Sequence, residues 1–203
     1  MKFKNLEMTG FKSFSEKTTV LIEKGLTGIV GPNGCGKSNI VEALRWCMGE
    51  NSAKSMRGSG MEDVIFSGTS NLPSKNISEV KILLDNLEKS GPVQYKEFEE
   101  ISIKRKIEKD KGSKYYINDK EVRARDVQTF FADLSTGAHS PSLISQGRIG
   151  QLVTAKPIER KTILEEAAGI SGIHARRQEA ETRLNAAENL SLIHISEPTR
   201  PIA

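Results

Sequence analysis

The sequence predicts an α/β fold built around a glycine-rich, phosphate-binding loop. Three observations predict it. A short apolar run, Leu26 to Val30, ends at the sequence Gly31-Pro32-Asn33-Gly34-Cys35-Gly36-Lys37-Ser38. Residues 38–48 then step with helical spacing, so the order is strand, loop, helix. Segments on either side alternate apolar and polar residues, the period of half-buried strands. The expected lobe has a mixed sheet around the loop's helix, a small antiparallel sheet to one side, and a helical exit.

Taken in order, Lys2 to Met8 sets Phe3, Leu6 and Met8 against Lys2, Lys4, Asn5 and Glu7. This is a strand with one imperfection in its alternation. Thr18 to Ile22 is short and β-branched, a second strand. Leu26 to Val30 fits a buried strand. In the helix from Ser38 to Met48, the spacing puts Ile40, Val41, Leu44 and Cys47 on one face. Residues 50–75 are rich in Gly, Ser and Asn and read as loop, broken by an apolar piece at Val64–Phe66. Val80 to Leu84 reads as a strand. Alternation over residues 93–118 predicts a small antiparallel sheet, and Asn118-Asp119 is a turn signal. Asp126 to Leu134 predicts a short amphipathic helix that Asp126 could cap. Pro157 suits a first helical turn, and Glu159 to Ala168 continues it with Ile163, Leu164 and Ala167 inward. Along residues 173–189, Ile173, Arg177, Ala180, Leu184 and Ala187 step by four and three, which is heptad spacing over barely two heptads.

Composition narrows the function classes. Net charge is +4, a mild bias toward acidic partners such as nucleic acid. The two cysteines, Cys35 and Cys47, form no disulfide framework and no zinc spacing. A reducing compartment is expected. There is no apolar leader at the N-terminus and no run of about 18 apolar residues, so neither a signal peptide nor a membrane span is expected.

The loop carries the chemistry. It matches G-x-x-x-x-G-K-[ST], where glycines let successive backbone N–H groups converge on one concavity. The following helix adds its positive end. Lys37 is the expected partner of β- and γ-phosphate oxygens, and the Ser38 hydroxyl the expected Mg²⁺ ligand. A nucleoside triphosphate such as ATP, with Mg²⁺, is therefore the expected ligand, held by Gly31, Pro32, Asn33, Gly34, Cys35, Gly36, Lys37, Ser38 and Asn39; such a loop serves kinases, GTPases and ABC-type ATPases alike. Hydrolysis also needs an acidic residue for the metal and a group that orients water. The nearest acidic candidate, Val80-Lys81-Ile82-Leu83-Leu84-Asp85, has Lys in the run and Asn86 where Glu should follow. A strand ending in a turn explains it better, so the machinery is incomplete in these residues.

Four blocks, in order, resemble the SMC (structural maintenance of chromosomes) family in its bacterial chromosome-partitioning form. They are GPNGCGKSNIVEALRWCMGE (31–50), SMRGSGMEDVIFSG (55–68), SLISQGRIGQLV (142–153) and EEAAGISGIHARRQEAETRLNAAENL (165–190). The first is similar to that family's Walker A segment and the second to its arginine loop. The third is similar to its Q-loop and the last to the start of its long coiled coil. The resemblance implies an ABC-type head made from two ends of one polypeptide. The C-terminal lobe would bring the signature motif, Walker B and the catalytic Glu. Residues 1–157 would be the N-terminal lobe of that head and residues 158–190 the helix leading into the coiled-coil arm. Residues 191–203 (SLIHISEPTRPIA) resemble a translated sequencing-adapter read-through and are read as a non-native tail.

By the same resemblance, Gln146 would ligate Mg²⁺ near the attacking water, and Arg57 would approach the nucleotide and couple DNA to hydrolysis. Lys12 and Ser13 would edge the pocket, while Phe11 and Phe14 read as core anchors. The basic run Lys104, Arg105, Lys106, Lys109, Lys111 and Lys114 is either a solvated hairpin face or a surface for double-stranded DNA, bound without sequence readout. Beside it, only Tyr115 and Tyr116 could stack on bases. The resemblance further implies ATP-driven pairing with a second head and a kleisin-type partner. It places the protein in the cytoplasm, associated with the nucleoid. Two alternatives stay open: a related coiled-coil DNA-repair ATPase, and a fragment that only binds nucleotide.

Overall fold

The computed structural model describes residues 1–134, 143, 153–168, 173, 177 and 180–189. Its centre is one six-stranded antiparallel sheet in the order β2-β1-β3-β4-β5-β6. The strands are β1 Lys2–Thr9, β2 Thr18–Leu21, β3 Ile77–Asp85, β4 Glu100–Glu108, β5 Gly112–Ile117 and β6 Lys120–Val122. The imperfect alternation of β1 is real. Its register against β3 slips between Phe3 and Asn5, a bulge. At the far edge, Asn118 and Asp119 both have positive φ, 47° and 61°, and Ile117 pairs with Lys120. This is the tight two-residue turn those residue types favour.

Period-two patterning sorts the sheet into two faces. Leu6, Met8, Val80, Ile82, Leu84, Ile101, Ile103, Ile107, Tyr115 and Ile117 all point into one core. Two helices cover that face: α1, Lys37–Cys47, and α2, Ala124–Asp133. Helix α2 buries Val127, Phe130 and Phe131. Asp126 lies in its first turn rather than at the cap, and its Oδ2 accepts from the Arg123 backbone N–H at 3.0 Å. A third helix, α3, spans Pro157–Ala167 and begins at the proline, as its missing N–H favours. Residues 180–189 are also helical, with every side chain exposed.

Five expectations are corrected. Residues 26–30 form no strand, and the described sheet is a single antiparallel one rather than a mixed sheet beside a smaller one. Leu26 is 99% and Val30 93% exposed. An apolar, strand-prone run needs a neighbour for its backbone groups, and among the described residues none pairs with it. On α1 the inward face is rotated from the one expected. Glu42, Ala43, Trp46 and Cys47 are buried, with Ile40 and Leu44 packed at the margin. The indole of Trp46 sets this rotation, because it seats 5.5 Å from the Phe11 ring. Arg105 does not belong to an open basic face. It is buried at 1% exposure, since the pleat that turns Lys104 and Lys106 outward turns Arg105 in. Leu164 on α3 is exposed rather than inward.

Candidate phosphate site

Helix α1 begins immediately after the glycine-rich loop, as the motif requires. Gly36 stands at its N-cap with φ +96°, and Gly34 precedes it at φ +85°. Both angles lie in the left-handed region where glycine alone is unstrained. A Cβ on Gly36 would sit 2.6 Å from Ser13 Oγ, and one on Gly31 would sit 2.9 Å from Cys35 Sγ. The loop is therefore as tightly drawn as its glycines allow. No side chain caps the helix and no acid lies in its first turn. Among the described residues no side chain therefore caps its positive end. Lys37 folds back over the loop, its Nζ donating to the Gly31 and Pro32 carbonyls at 2.5 and 2.6 Å. Ser38 stands exposed in the first turn. Open N–H groups, an uncapped helix and one lysine form a cradle for an anion of phosphate type, so the residues present fit a nucleotide.

Three further segments close on this loop. The turn after β1 places Lys12 at φ +48°, fixed by its backbone N–H donating to the Val64 carbonyl at 2.7 Å. Phe11 is buried and Phe14 lies against the core, as expected of anchors. Ser13 Oγ accepts from Asn39 Nδ2 at 2.9 Å, and Asn39 Oδ1 accepts from Arg57 Nη2 at 2.9 Å. Arg57 itself is held at φ +54° at the end of a single 3-10 turn, Lys54–Met56. Asp63 stiffens the rest of that loop. Its carboxylate accepts from the Ser59 and Gly60 backbone N–H groups and the Ser59 hydroxyl, at 2.6, 2.9 and 2.8 Å. Those bonds, led by the Gly60 amide, hold its pKa below the usual value.

Thus Lys12, Ser13, Asn39 and Arg57 converge beside residues 31–38. Gln146 lies outside the described residues. The residue missed in the sequence is Glu42. It is 7% exposed and its two oxygens pair with Lys12 Nζ and Arg57 Nε. Its signal was a charged residue between two apolar ones, Val41 and Ala43, inside a helix. Asp85-Asn86 proves structural. Asp85 Oδ1 accepts from the Leu87 N–H, while buried Asn86 bonds Tyr95 O, Phe98 O and Gly91 N at 3.1, 2.8 and 3.0 Å. Among the described residues no cluster of three or more His, Cys, Asp or Glu side chains could hold a metal ion.

On the outer face of the sheet, Lys104 lies 5.0 Å above the Tyr116 ring and 3.4 Å from Asp119. Lys114 and Lys111 pair with Glu121 and Glu108. The charge there is therefore partly neutralised. Tyr115 is buried with its hydroxyl on Asn51, which leaves Tyr116 as the ring on the open face. No described helix is long and apolar enough to cross a membrane.

A sheet backed by a phosphate-loop helix, with basic side chains converging on that loop, defines a lobe of the P-loop nucleotide-binding class. Comparison with known proteins says which. The RecF/RecN/SMC N terminal domain family matches residues 2–148. The chromosome partition protein Smc of Cereibacter sphaeroides is 56% identical over 93% of this chain. That of Rhodopseudomonas palustris is 55% identical over 93%. The chain spans 16% of the length of each. Among solved structures, an Smc head bound to the C-winged helix domain of ScpA superposes with a TM-score of 0.78 at 31% identity. That match covers 84% of this chain and 52% of the head. One from work on ATP-driven dimerization and DNA-stimulated activation of SMC ATPases gives 0.72 at 30% identity, covering 82% of this chain and 99% of that one. The chain belongs to the RecF/RecN/SMC family, as the N-terminal head lobe of a bacterial SMC protein.

Proposed function

We propose that this chain is the ATP-binding half of an SMC head. Joined to a C-terminal lobe, it would hydrolyse ATP and drive chromosome condensation and partitioning through contact with double-stranded DNA. The observation that carries the reading is the uncapped N-terminus of α1 beneath a loop whose lysine, among the described residues, is bonded to that loop's own carbonyls and thiol. Lys37 would exchange its carbonyl partners for phosphate oxygens. The N–H groups of residues 33–38 would hold the phosphates, with Asn39, Ser13 and Lys12 at the edge. Ser38 and Gln146 would ligate Mg²⁺, whose charge, when bound, offsets that of the phosphates. Arg57 would face the nucleotide from the loop at 54–60.

No acid in the described residues is placed to serve as Walker B, so the second half of the head supplies that part. The exposed run 26–30 is where such a lobe would add its strands. ATP would pair this head with a second one, and a kleisin-type subunit would bridge them. Smc heads bound to ScpA domains support that last point by similarity. Residues 158–190 would enter the coiled coil of a cytoplasmic, nucleoid-associated protein. Lys104, Lys106 and Lys114 would meet DNA phosphates in a salt-sensitive way.

Phosphate release is the test, measured with saturating DNA on this chain alone and after addition of the C-terminal lobe. Turnover is expected only on addition, and is expected to vanish in Lys37→Ala. A chain that alone turns over ATP like a complete enzyme would overturn the split-head reading.

A further inference from the structure

Glu42 has no place in the phosphate cradle, yet it is a buried carboxylate on the helix that the cradle opens. It projects from the second turn of α1 and each oxygen takes a different cation from a different loop. Oε2 pairs with Lys12 Nζ, which also donates to the Met56 carbonyl at 2.5 Å. Oε1 pairs with Arg57 Nε. Both cationic residues have left-handed backbones, φ +48° and +54°, so neither loop is at rest in the conformation that an unbranched chain prefers. Arg57 is 59% exposed along its side chain, against 10% for Glu42. The anchored end of this pair is therefore the carboxylate, fixed to the loop's own helix. The guanidinium continues the chain, with Nη2 donating to Asn39 Oδ1 and Asn39 Nδ2 to Ser13 Oγ.

We infer that Glu42 is a positioning residue. It aims the Arg57 guanidinium, and with it Lys12, relative to the phosphate loop, so that both arrive with helix α1 as one unit. This rests on the ATP-binding reading above. Two cations and one carboxylate carry a formal charge of +1, and Glu42→Gln raises it to +2. Electrostatics alone then predicts nucleotide binding at least as tight as in the native protein. Loss of aim predicts lower turnover instead. The two readings of the residue therefore separate in KM against kcat.

The experiment is a double-mutant cycle of Glu42→Gln and Arg57→Ala in the full-length protein, read by phosphate release, by fluorescent ATP-analogue titration and by trypsin cleavage without nucleotide. Glu42→Gln should lower kcat about tenfold or more, with analogue affinity within about threefold of native. The double variant should match Arg57→Ala within about twofold, because the carboxylate acts through the arginine. Cleavage after Arg57 in the nucleotide-free protein should quicken severalfold. Glu42→Asp keeps the charge and shortens the reach, and should repeat the loss of kcat. It also serves if the Gln variant does not fold. Multiplicative losses in the cycle, or native kcat in both Glu42 variants, would overturn the inference. Loss of all turnover in Lys37→Ala alongside such a result would leave the ATPase reading intact, whereas native turnover in Lys37→Ala would sink that reading instead.

Discussion

Replacing Arg105 with Ala should unlatch helix α1 from the sheet. The guanidinium lies 4.5 Å over the Trp46 ring and 4.7 Å over that of Tyr115. Its Nη1 donates to the Trp46 and Glu50 carbonyls at 2.8 and 2.6 Å, which closes the C-terminal end of α1. Nη2 lies 3.3 Å from Ser113 Oγ and 3.4 Å from Asn51 Oδ1. Hydrogen bonds from a charged donor contribute about 1.5–3 kcal/mol each, and ring contacts of a desolvated cation up to about 2 kcal/mol. Against them stands the desolvation of a buried ion, several kcal/mol, and the Nε proton has no partner. Burial accordingly pushes the guanidinium below its ordinary pKa. Alanine leaves the Glu50 carbonyl open, the Trp46 carbonyl with the Gly49 N–H at 3.2 Å, and a cavity between two rings, so the net loss should be on the order of 3 kcal/mol. For a chain of this size that corresponds to about 6–12 °C in Tm. Trp46 is the lone tryptophan and touches the site, so urea unfolding followed by its fluorescence reads the change directly. Arg105→Lys should recover under half of it, since an ammonium cannot fork to both carbonyls or lie flat on both rings. An alanine variant within about 0.5 kcal/mol of native would refute this reasoning.

Other perturbations test other parts. Gly10→Ala should be more damaging than any surface change. The new Cβ would meet the Ile77 carbonyl oxygen at 2.3 Å at a residue with φ +63°, and a chemical-denaturation midpoint should fall sharply or soluble protein be lost. Gly36→Ala should cost about 1 kcal/mol from its positive φ and weaken ATP-analogue binding in the same titration. The two thiols should differ in reactivity, with exposed Cys35 labelled by a maleimide in the native protein and Cys47 only after unfolding. Burial lifts the Cys47 thiol from 9.0 to about 12. A raised pKa favours the protonated form in the folded state, so this contribution is complete below pH 9.0 and fades as pH climbs toward 12. Stability that stays flat through that window, read by the same fluorescence, would contradict the burial of this thiol.

Much of the lobe was legible because its signals are local. Alternation gave β1 together with its bulge, Asn118-Asp119 gave a hairpin turn, and the glycine pattern gave the loop ahead of α1. Residues 26–30 misled because a strand is a property of pairs. The run has the composition of a strand, but among the described residues it has no partner. Arg105 was hidden by its basic neighbours, although Ile103 and Ile107 at period two mark its side of the pleat. The convergence of Lys12, Ser13 and Arg57 followed from resemblance alone. Nothing in local spacing brings residue 12 to residue 57, and the carboxylate that joins them sits on a third segment. Glu42 was passed over because a charged residue inside a helix is ordinarily a solvated one.

The order of strands also bears on how the lobe assembles during synthesis. Strands β3 to β6 are sequential hairpins, each pairing with the one before it. Strand β1 emerges first, yet its long partner is β3, and the phosphate loop and α1 lie in the chain between them. Closing that interval costs more entropy than closing the hairpins. The C-terminal meander should therefore zip up on its own and then recruit the oldest strand, drawing the phosphate loop in as it closes. Pulsed hydrogen exchange should show the β4 and β5 amides protected before those of β1; simultaneous protection would mean that the nucleotide loop is shaped as early as the sheet itself.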